Sequence, residues 1–373
     1  MYLALLRVWV WLASWIAPQP RFSDASLLDA ALECTLLSGG LVGEVKRVSL
    51  AGPVVVKRSR NRFRTLLNGQ GREVNFYAWN RAPVDLLPRI YAAKQSLLFG
   101  DVAIAMEDLT ARGGERLGPY LFNQCDIWGP ASAARKHQVP PQVLLQWLFE
   151  TIAQVHRRFW NDASLKRVRW LKGVEWTGGG GRAKWQANVE FTKKAWAHAT
   201  RVRTQLVPEL VQRVDACLQA STWEAFQSTL AREPFSLAHG DFHAGNIMLI
   251  EGKSIAVLDW SEVHAGNPVH DLGQLLISDV TPVFAKRHAK TLVQAYHRAL
   301  DVGITADECW RWVLDGGGGR WVQLFCLLAS MDAVPDKAVA YFAKNLLAWM
   351  QMADDEFDEL DHVFRIGMMA IMT

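Results

Sequence analysis

The stretch Leu237–Leu272 reads LAHGDFHAGNIMLIEGKSIAVLDWSEVHAGNPVHDL, and our prediction of the fold starts from it. It contains two short apolar runs, Ile247–Ile250 and Ile255–Leu258, which are rich in β-branched residues. The polar segment Glu251–Ser254 separates them. Two such runs around a polar turn predict a hairpin of two buried strands.

Polar residues flank this predicted hairpin. Asp241 and Asn246 precede its first strand, and Asp259 directly follows its second strand. Because a hairpin returns the chain towards its start, we expect these three side chains to converge. Phosphoryl transfer uses such a set: one carboxylate accepts a hydroxyl proton, while an amide oxygen and a second carboxylate bind Mg²⁺. The alternative interpretation is a polar loop between core strands.

The spacing of these motifs resembles that of the aminoglycoside phosphotransferase and choline-kinase-like superfamily, which shares the protein-kinase catalytic core. The matching residues are His239-Gly240-Asp241, Asn246, Asp259-Trp260, Gly266-Asn267-Pro268 and Asp271-Leu272. The resemblance implies an α+β, bilobal protein-kinase-like fold, with a small antiparallel β-sheet N-lobe and a large, mainly helical C-lobe. The phrases REVNFYAW, AMEDL and QVHRRFW are most similar to the ecdysteroid-kinase-like branch.

The resemblance also implies a role for each residue of the central stretch. Asp241 is the expected catalytic base, and Asn246 and Asp259 are the expected Mg²⁺ ligands. His239 is expected to brace the catalytic loop, and Asp271 to anchor it through backbone N–H groups. ATP or GTP is the expected phosphate donor. We expect the three remaining histidines to cap loops or to be structural: His243, His264 and His270.

Composition limits the other classes of protein. The chain has 373 residues, half of them hydrophobic, which is enough for about two domains. A net charge of +4 is too small to indicate a nucleic-acid-binding protein. Five scattered cysteines without a CxxC pair fit free thiols in a reducing, cytoplasmic compartment.

The first seventeen residues, MYLALLRVWVWLASWIA, are strongly apolar. Arg7 interrupts the run, which is shorter than a usual membrane-spanning helix, and Pro18 and Pro20 end it. We expect a helix packed on the body of the protein. Membrane association through residues 1–17 is the alternative that we disfavour.

A glycine-rich loop precedes two predicted strands, Val45–Leu50 and Pro53–Lys57. Its glycines, Gly39, Gly40 and Gly43, can offer backbone N–H groups to phosphates, although an ordinary hairpin turn has the same pattern.

Lys57 closes the second of these strands and can reach the α and β phosphates. Glu73, at the start of an amphipathic helix, can pair with Lys57 and hold its ammonium in place. Two further strands are predicted at Arg89–Lys94 and Leu97–Met106. They lead to the segment Glu107 to Leu109, whose backbone is expected, from the resemblance, to bind the adenine.

The predicted organisation has three parts: an apolar helix at 1–22, an N-lobe at 23–108 and a helical C-lobe at 109–373. Two four-glycine runs, Gly178–Gly181 and Gly316–Gly319, predict breaks between helices of the C-lobe. An acidic cluster, Asp354–Asp361, is predicted to open the last helix, where acidic residues suit the helix dipole. Its alternative role is to attract a cationic substrate. Four tryptophans of the C-lobe either line the acceptor pocket or, as we favour, pack in the core: Trp170, Trp176, Trp185 and Trp196.

These observations together predict an ATP-dependent kinase of a small hydroxylated molecule, for example an aminoglycoside, choline, a sugar or a steroid-like compound. The interval between Asp259 and Asp271 leaves little room for a protein-kinase activation segment. Two alternatives stay open: a catalytically degenerate nucleotide-binding module and a metal-dependent phosphoesterase.

Overall fold

The computed structural model describes residues 34–37, 43–49, 53–59, 71–79, 81–96, 101–121, 127, 139–251, 254–357 and 364. The apolar segment 1–17, Gly39 and Gly40 lie outside these residues. The chain divides into two compact units. The first contains residues up to Glu115 together with Met248–Glu262, and the second contains Arg116–Ile247 and Val263–Ile371. The hairpin after the Asp241 loop is thus packed within the first unit. The three-part division at residues 22 and 108 stays a prediction.

A five-stranded antiparallel sheet forms the centre of the first unit. The strands are β1 (Cys34–Leu37), β2 (Gly43–Ser49), β3 (Pro53–Ser59), β4 (Ile90–Ser96) and β5 (Asp101–Glu107). They follow the order β1-β2-β3-β5-β4 in the sheet. The run Val54–Val56 is β-branched and therefore favours a strand, and Lys57 follows it opposite Ile104 of β5.

One helix, α1 (Arg72–Tyr77), packs on this sheet through Val74. The predicted hairpin is present as β8 (Ile247–Ile250) and β9 (Ser254–Val257), and it forms a three-stranded sheet with β6 (Gly114–Arg116). The ring of Phe76 on α1 stacks on Trp260 with the ring centroids 4.4 Å apart. This contact connects α1 to the residues that follow the hairpin.

The second unit is mainly helical, and its only sheet within the described residues pairs two short strands, β7 (Ser236–Ala238) and β10 (His264–Gly266). Its helices are α2 (Pro141–Arg158), α3 (Val174–Thr177), α4 (Arg182–His198), α5 (Thr200–Arg203), α6 (Pro208–Ala220), α7 (Trp223–Arg232), α8 (Val269–Ser278), α9 (Pro282–Leu300), α10 (Ala306–Ser330) and α11 (Asp336–Phe357).

The two glycine runs behave differently. The run Gly178–Gly181 separates α3 from α4, as predicted, and Gly179 and Gly181 have positive φ values. The prediction of a break at Gly316–Gly319 is wrong, because these glycines lie inside α10, a continuous helix of 25 residues. A Cβ on Gly317 would lie 2.6 Å from the Cα of Gly273 on α8, so the glycines serve close helix packing.

The acidic cluster also differs from the prediction. Asp354 and Glu356 do not open a helix. They lie in the last turn of α11, where the helix dipole disfavours acidic residues. Ion pairs compensate: Arg213 donates to both carboxylate oxygens of Asp354 at 2.7 and 3.1 Å, and Lys290 binds Glu356 at 2.9 Å. Asp354 and Glu356 are therefore paired, and Asp358–Asp361 lie outside the described residues.

The tryptophans predicted to pack in the core do so at three positions. Trp176, Trp185 and Trp196 are buried, and Trp170 is half-buried. No helix among the described residues combines the length and the apolar character needed to cross a bilayer.

Candidate functional site

In the first unit, Lys57 lies between two carboxylates. Its Nζ donates to Glu73 Oε2 at 2.8 Å and to Asp259 Oδ1 at 2.7 Å. Burial alone would lower the pKa of the Lys57 ammonium, but the charges of Asp259 and Glu73 outweigh it and raise that pKa. The lysine is therefore held as a cation, and the predicted pairing with Glu73 is present.

Helix α1 positions Glu73 from the buried side. This carboxylate is almost fully buried, and the Tyr77 hydroxyl, one turn further along α1, donates to its second oxygen at 3.3 Å. Burial raises the pKa of Glu73, while the Lys57 charge lowers it. The resulting ion pair fixes the distal end of the lysine, so its ammonium has a defined position.

The backbone of Asp259 has an unusual conformation. Its φ of 59° lies in the left-handed region, which few residues other than glycine adopt. The Trp260 indole donates to Val257 O at 3.0 Å, and Arg72 donates to Ser261 O, so the segment is held on both sides of Asp259. The carboxylate of Asp259 stays about one-third exposed. Such strain is typical of functional positions.

In the second unit, the carboxylate of Asp241 is held at both oxygens. Asn246 Nδ2 donates to Oδ2 at 3.2 Å, and Gln274 Nε2 donates to Oδ1 at 3.0 Å. His243 Nε2 lies 3.6 Å from Oδ2. Partial burial would raise the pKa of Asp241, but the nearby His243 ring and the positive charge of Arg320 outweigh it and lower that pKa. Asp241 is therefore ionised at neutral pH.

Buried carboxylates of α8 and the residue after it hold the backbone of the Asp241 loop. Asp271 accepts from His239 N at 2.7 Å and from Gly240 N at 3.0 Å. Asp279 accepts from Ala244 N at 3.1 Å. Burial raises the pKa of both Asp271 and Asp279.

Two further contacts complete the loop. Gly240 has a φ of 82°, which glycine adopts without strain, and its carbonyl accepts from Arg320 of α10. The ring of His239 accepts from Asp241 N at 3.1 Å.

Gln274, Asp279 and Arg320 were missed by the sequence reasoning. For Asp279, the sequence contains one indication. An acidic residue directly after the last turn of an apolar helix is disfavoured by the helix dipole, which indicates that another interaction stabilises it. For Gln274 and Arg320 it contains none, since nothing in their local sequence indicates a partner 33 or 80 residues away.

Three other histidines lie around this loop. His243 Nδ1 accepts from Gly245 N at 3.1 Å and thus caps the short turn Ala244–Asn246. His264 is buried in β10, and His270 lies 3.4 Å from Glu233.

The residues predicted for adenine binding end the sheet of the first unit. Glu107 is the last residue of β5, and its N–H donates to Arg89 O at 2.8 Å. Leu109 begins a 3-10 turn capped by Asp108 and packs against Met248. Gly43 is the first residue of β2.

The predicted Mg²⁺ ligands supply oxygen atoms, which this hard cation requires. Asn246 Nδ2 also donates to Asp241 O at 2.9 Å, so its amide nitrogen is engaged and its Oδ1 is the atom that can ligate a cation. No group of three or more His, Cys, Asp or Glu side chains suits a metal within the described part of the chain.

Comparisons with known proteins bear on the family and the fold. A model described as the phosphotransferase enzyme family matches residues 33–306. The structure is similar to a choline kinase from Cryptosporidium parvum Iowa II, with a TM-score of 0.56 and 9% identity over 95% of this chain and 96% of that chain.

Two other solved structures show the same likeness. One is a macrolide 2'-phosphotransferase type I (TM-score 0.50, 16% identity, 87% of this chain and 97% of that chain). The other is a GDP and kanamycin complex of APH(2")-IIia (TM-score 0.51, 11% identity, 87% and 93%). No curated protein sequence matches the chain. These likenesses confirm the predicted protein-kinase-like α+β fold.

Proposed function

This chain belongs to the phosphotransferase enzyme family, and from that premise we propose that it is an ATP-dependent kinase of a small molecule. Family membership gives the reaction class, transfer of a phosphoryl group to an alcohol. The proposal adds the donor, the metal, the residues and the kind of acceptor.

The observation that carries the proposal is the Lys57 ammonium held by Glu73 and Asp259. An ion pair formed only for stability would need neither the left-handed backbone of Asp259 nor the partial exposure of its carboxylate. A cation fixed beside a half-exposed carboxylate suits the binding of nucleotide phosphates and a metal. A degenerate nucleotide-binding module would be expected to have lost at least one of these groups.

In the proposed reaction, the carboxylate of Asp241 orients the acceptor hydroxyl and takes its proton. The acceptor oxygen forms a bond to the γ-phosphorus as the bond to the β–γ bridging oxygen breaks, and ADP leaves. Since Asp241 is ionised at neutral pH, it is ready to accept. Positioning of the hydroxyl should contribute more than base strength, because phosphoryl transfer has a loose transition state.

We assign the Mg²⁺ ligands to Asn246 and Asp259, which offer an amide oxygen and a carboxylate oxygen. When bound, Mg²⁺ neutralises charge on the phosphates. Lys57 is assigned to the α and β phosphates, the glycine loop that ends at Gly43 to the phosphates, and the backbone from Glu107 to Leu109 to the adenine.

The acceptor is proposed to be a small hydroxylated molecule, with cationic compounds as the first class to test. Choline and kanamycin, named for two structural neighbours, are of this kind. The acidic residues Asp354 and Glu356 do not support this choice, because Arg213 and Lys290 already pair with them.

Replacement of the proposed base tests the reaction. We expect Asp241→Asn and Asp241→Ala to lower the rate of phosphate transfer by about 10²- to 10⁴-fold, because the hydroxyl loses its proton acceptor. The Kd for MgATP should change little, since the nucleotide contacts are assigned to other residues. The measurements are transfer from [γ-³²P]ATP to a panel of hydroxylated compounds and calorimetric titration with MgATP.

Asp332→Asn, at an exposed position in the turn between α10 and α11, is the matched control and should keep the wild-type rate. Wild-type turnover by the purified Asp241→Ala protein would refute the role of Asp241. MgATP binding without transfer to any compound would favour the degenerate module.

A further inference from the structure

Gln274 of α8 contacts the proposed base from the protein interior. Its side chain is only 2% exposed, and its Nε2 donates to Asp241 Oδ1 at 3.0 Å. An ionised carboxylate can only accept hydrogen bonds, so the Gln274 amide must present its NH₂ group to Asp241. The orientation of the amide is thereby determined by chemistry.

The backbone of Gln274 is also held. Its carbonyl accepts from the indole of the buried Trp321 at 3.1 Å. Gln274 follows Asp271 by three residues, which places both side chains on the same face of α8. Asp271 holds the loop backbone at His239 and Gly240, and Gln274 holds the carboxylate of the following residue, Asp241. One helix face thus positions both the loop and its reactive group.

The two oxygens of Asp241 have different surroundings. Oδ2 receives Asn246 Nδ2 from within the loop, and Oδ1 receives Gln274 Nε2 from α8. The Asp241 side chain is 37% exposed, whereas Gln274 is buried, so Gln274 approaches from the side away from solvent. Each carboxylate oxygen has two lone pairs, which leaves acceptor capacity on the exposed side for a hydroxyl.

Packing alone does not explain a glutamine at this position. Gln274 Oε1 is buried and has no hydrogen-bond partner among the described residues. An unpaired buried polar atom destabilises the folded state, and an apolar side chain of similar volume would avoid that loss. The remaining contribution of the amide is its donation to Asp241.

We propose that Gln274 is a positioning residue for phosphoryl transfer, which holds the Asp241 carboxylate in the rotamer that receives the acceptor hydroxyl. The inference rests on the proposed function of Asp241. It predicts that loss of the Gln274 donor slows the transfer step without weakening nucleotide binding.

The test replaces the donor while keeping the volume. Gln274→Met removes the NH₂ group, and Gln274→Glu replaces it with a second carboxylate that repels Asp241. We expect each change to lower kcat for transfer from MgATP by about 10- to 100-fold, because a misplaced reacting group costs about that much. The KM for MgATP should stay within about twofold of wild type, since a positioning defect acts on the transition state.

Gln323→Met is the matched control. Gln323 is a buried glutamine on α10 whose Nε2 bonds only to Thr192, at 3.3 Å, among the described residues. Its replacement should keep the wild-type kcat. Thermal midpoints of all variants show whether each one folds. If Gln274→Met does not fold, the kcat of Gln274→Glu tests the inference.

The outcomes separate the two claims. A selective fall in kcat for the Gln274 variants, with Gln323→Met unaffected, supports the inference. A kcat within twofold of wild type in a folded Gln274 variant, or an equal fall in Gln323→Met, overturns it while the proposed function stands. A wild-type protein that transfers phosphate to no acceptor overturns the proposed function, and the positioning role with it.

Discussion

Single buried residues determine how the second unit responds to pH, and His156 of α2 is the clearest case. Its ring is fully buried, its Nδ1 lies 2.8 Å from the Tyr296 hydroxyl, and its backbone carbonyl accepts from Ser236 at 2.7 Å. Burial lowers the pKa of His156 to about 3. The imidazole is therefore neutral, and its 3.9 Å separation from Asp271 is not an ion pair at neutral pH.

This residue predicts a pH dependence of stability. The pKa of an ordinary histidine is 6.5, so His156 binds a proton below that pH in the unfolded state. In the folded state it stays neutral down to about pH 3. The free energy of unfolding should therefore fall with decreasing pH in this window, by about 1.4 kcal/mol per pH unit from this group. Between pH 7.5 and pH 4.5, His156→Gln should lose about 2 to 3 kcal/mol less stability than wild type.

Urea unfolding at a series of pH values measures this difference. His198→Gln, at an exposed position on α4, controls for the loss of an imidazole. Parallel pH profiles for wild type and His156→Gln would show that the buried ring is not the source of the dependence.

At the scale of elements, the crossing of α8 and α10 organises the second unit. Four consecutive glycines inside α10 cost about 1 kcal/mol each relative to alanine in intrinsic helix stability. Because Gly317 has no Cβ, the backbone of α10 can approach Gly273 of α8 closely. The close approach places Trp321 against the Gln274 carbonyl and Arg320 against the Gly240 carbonyl. The crossing therefore supports the Asp241 loop.

Gly317→Ala tests this crossing. A methyl group at Gly317 would lie 2.6 Å from the Gly273 Cα, a backbone atom that can move only if the helices separate. We expect the variant to lose about 1 to 3 kcal/mol of stability through overpacking, although alanine favours a helix more than glycine does. Chemical unfolding measures the change.

Gly303→Ala is the control, because a Cβ there meets no atom within 4 Å. A Gly317→Ala protein more stable than wild type would show that helix propensity outweighs the close contact, and that the crossing tolerates a wider separation.

At the scale of the whole molecule, both compact units supply groups to the proposed reaction. Lys57, Glu73 and Asp259 belong to the first unit, and Asp241, Asn246 and Gln274 to the second. A ligand that binds only the folded state raises the stability of that state, so nucleotide binding can be measured without knowledge of the acceptor.

We expect MgATP to raise the thermal midpoint. At a concentration of 100 times its Kd, it should add about 2.7 kcal/mol to the free energy of unfolding. ATP without Mg²⁺ should stabilise less, and the same scan with MgGTP identifies the donor. Lys57→Met should abolish the shift, because the phosphates lose their cation, whereas Lys344→Met, exposed on α11, should keep it. No shift of the wild-type midpoint at saturating MgATP or MgGTP would contradict the kinase proposal.

Local features of this protein could be predicted from the sequence. The β-branched and apolar runs predicted the strands and the hairpin, and the order of Lys57 and Glu73 predicted their ion pair, because these features depend on short-range periodicity and on a recognisable motif. Other features depend on long-range packing and could not be predicted. This packing made Gly316–Gly319 part of a helix and brought Gln274, Asp279 and Arg320 to the Asp241 loop. Such outcomes depend on packing between distant segments, where a contact such as Gly273 with Gly317 overrides local propensity.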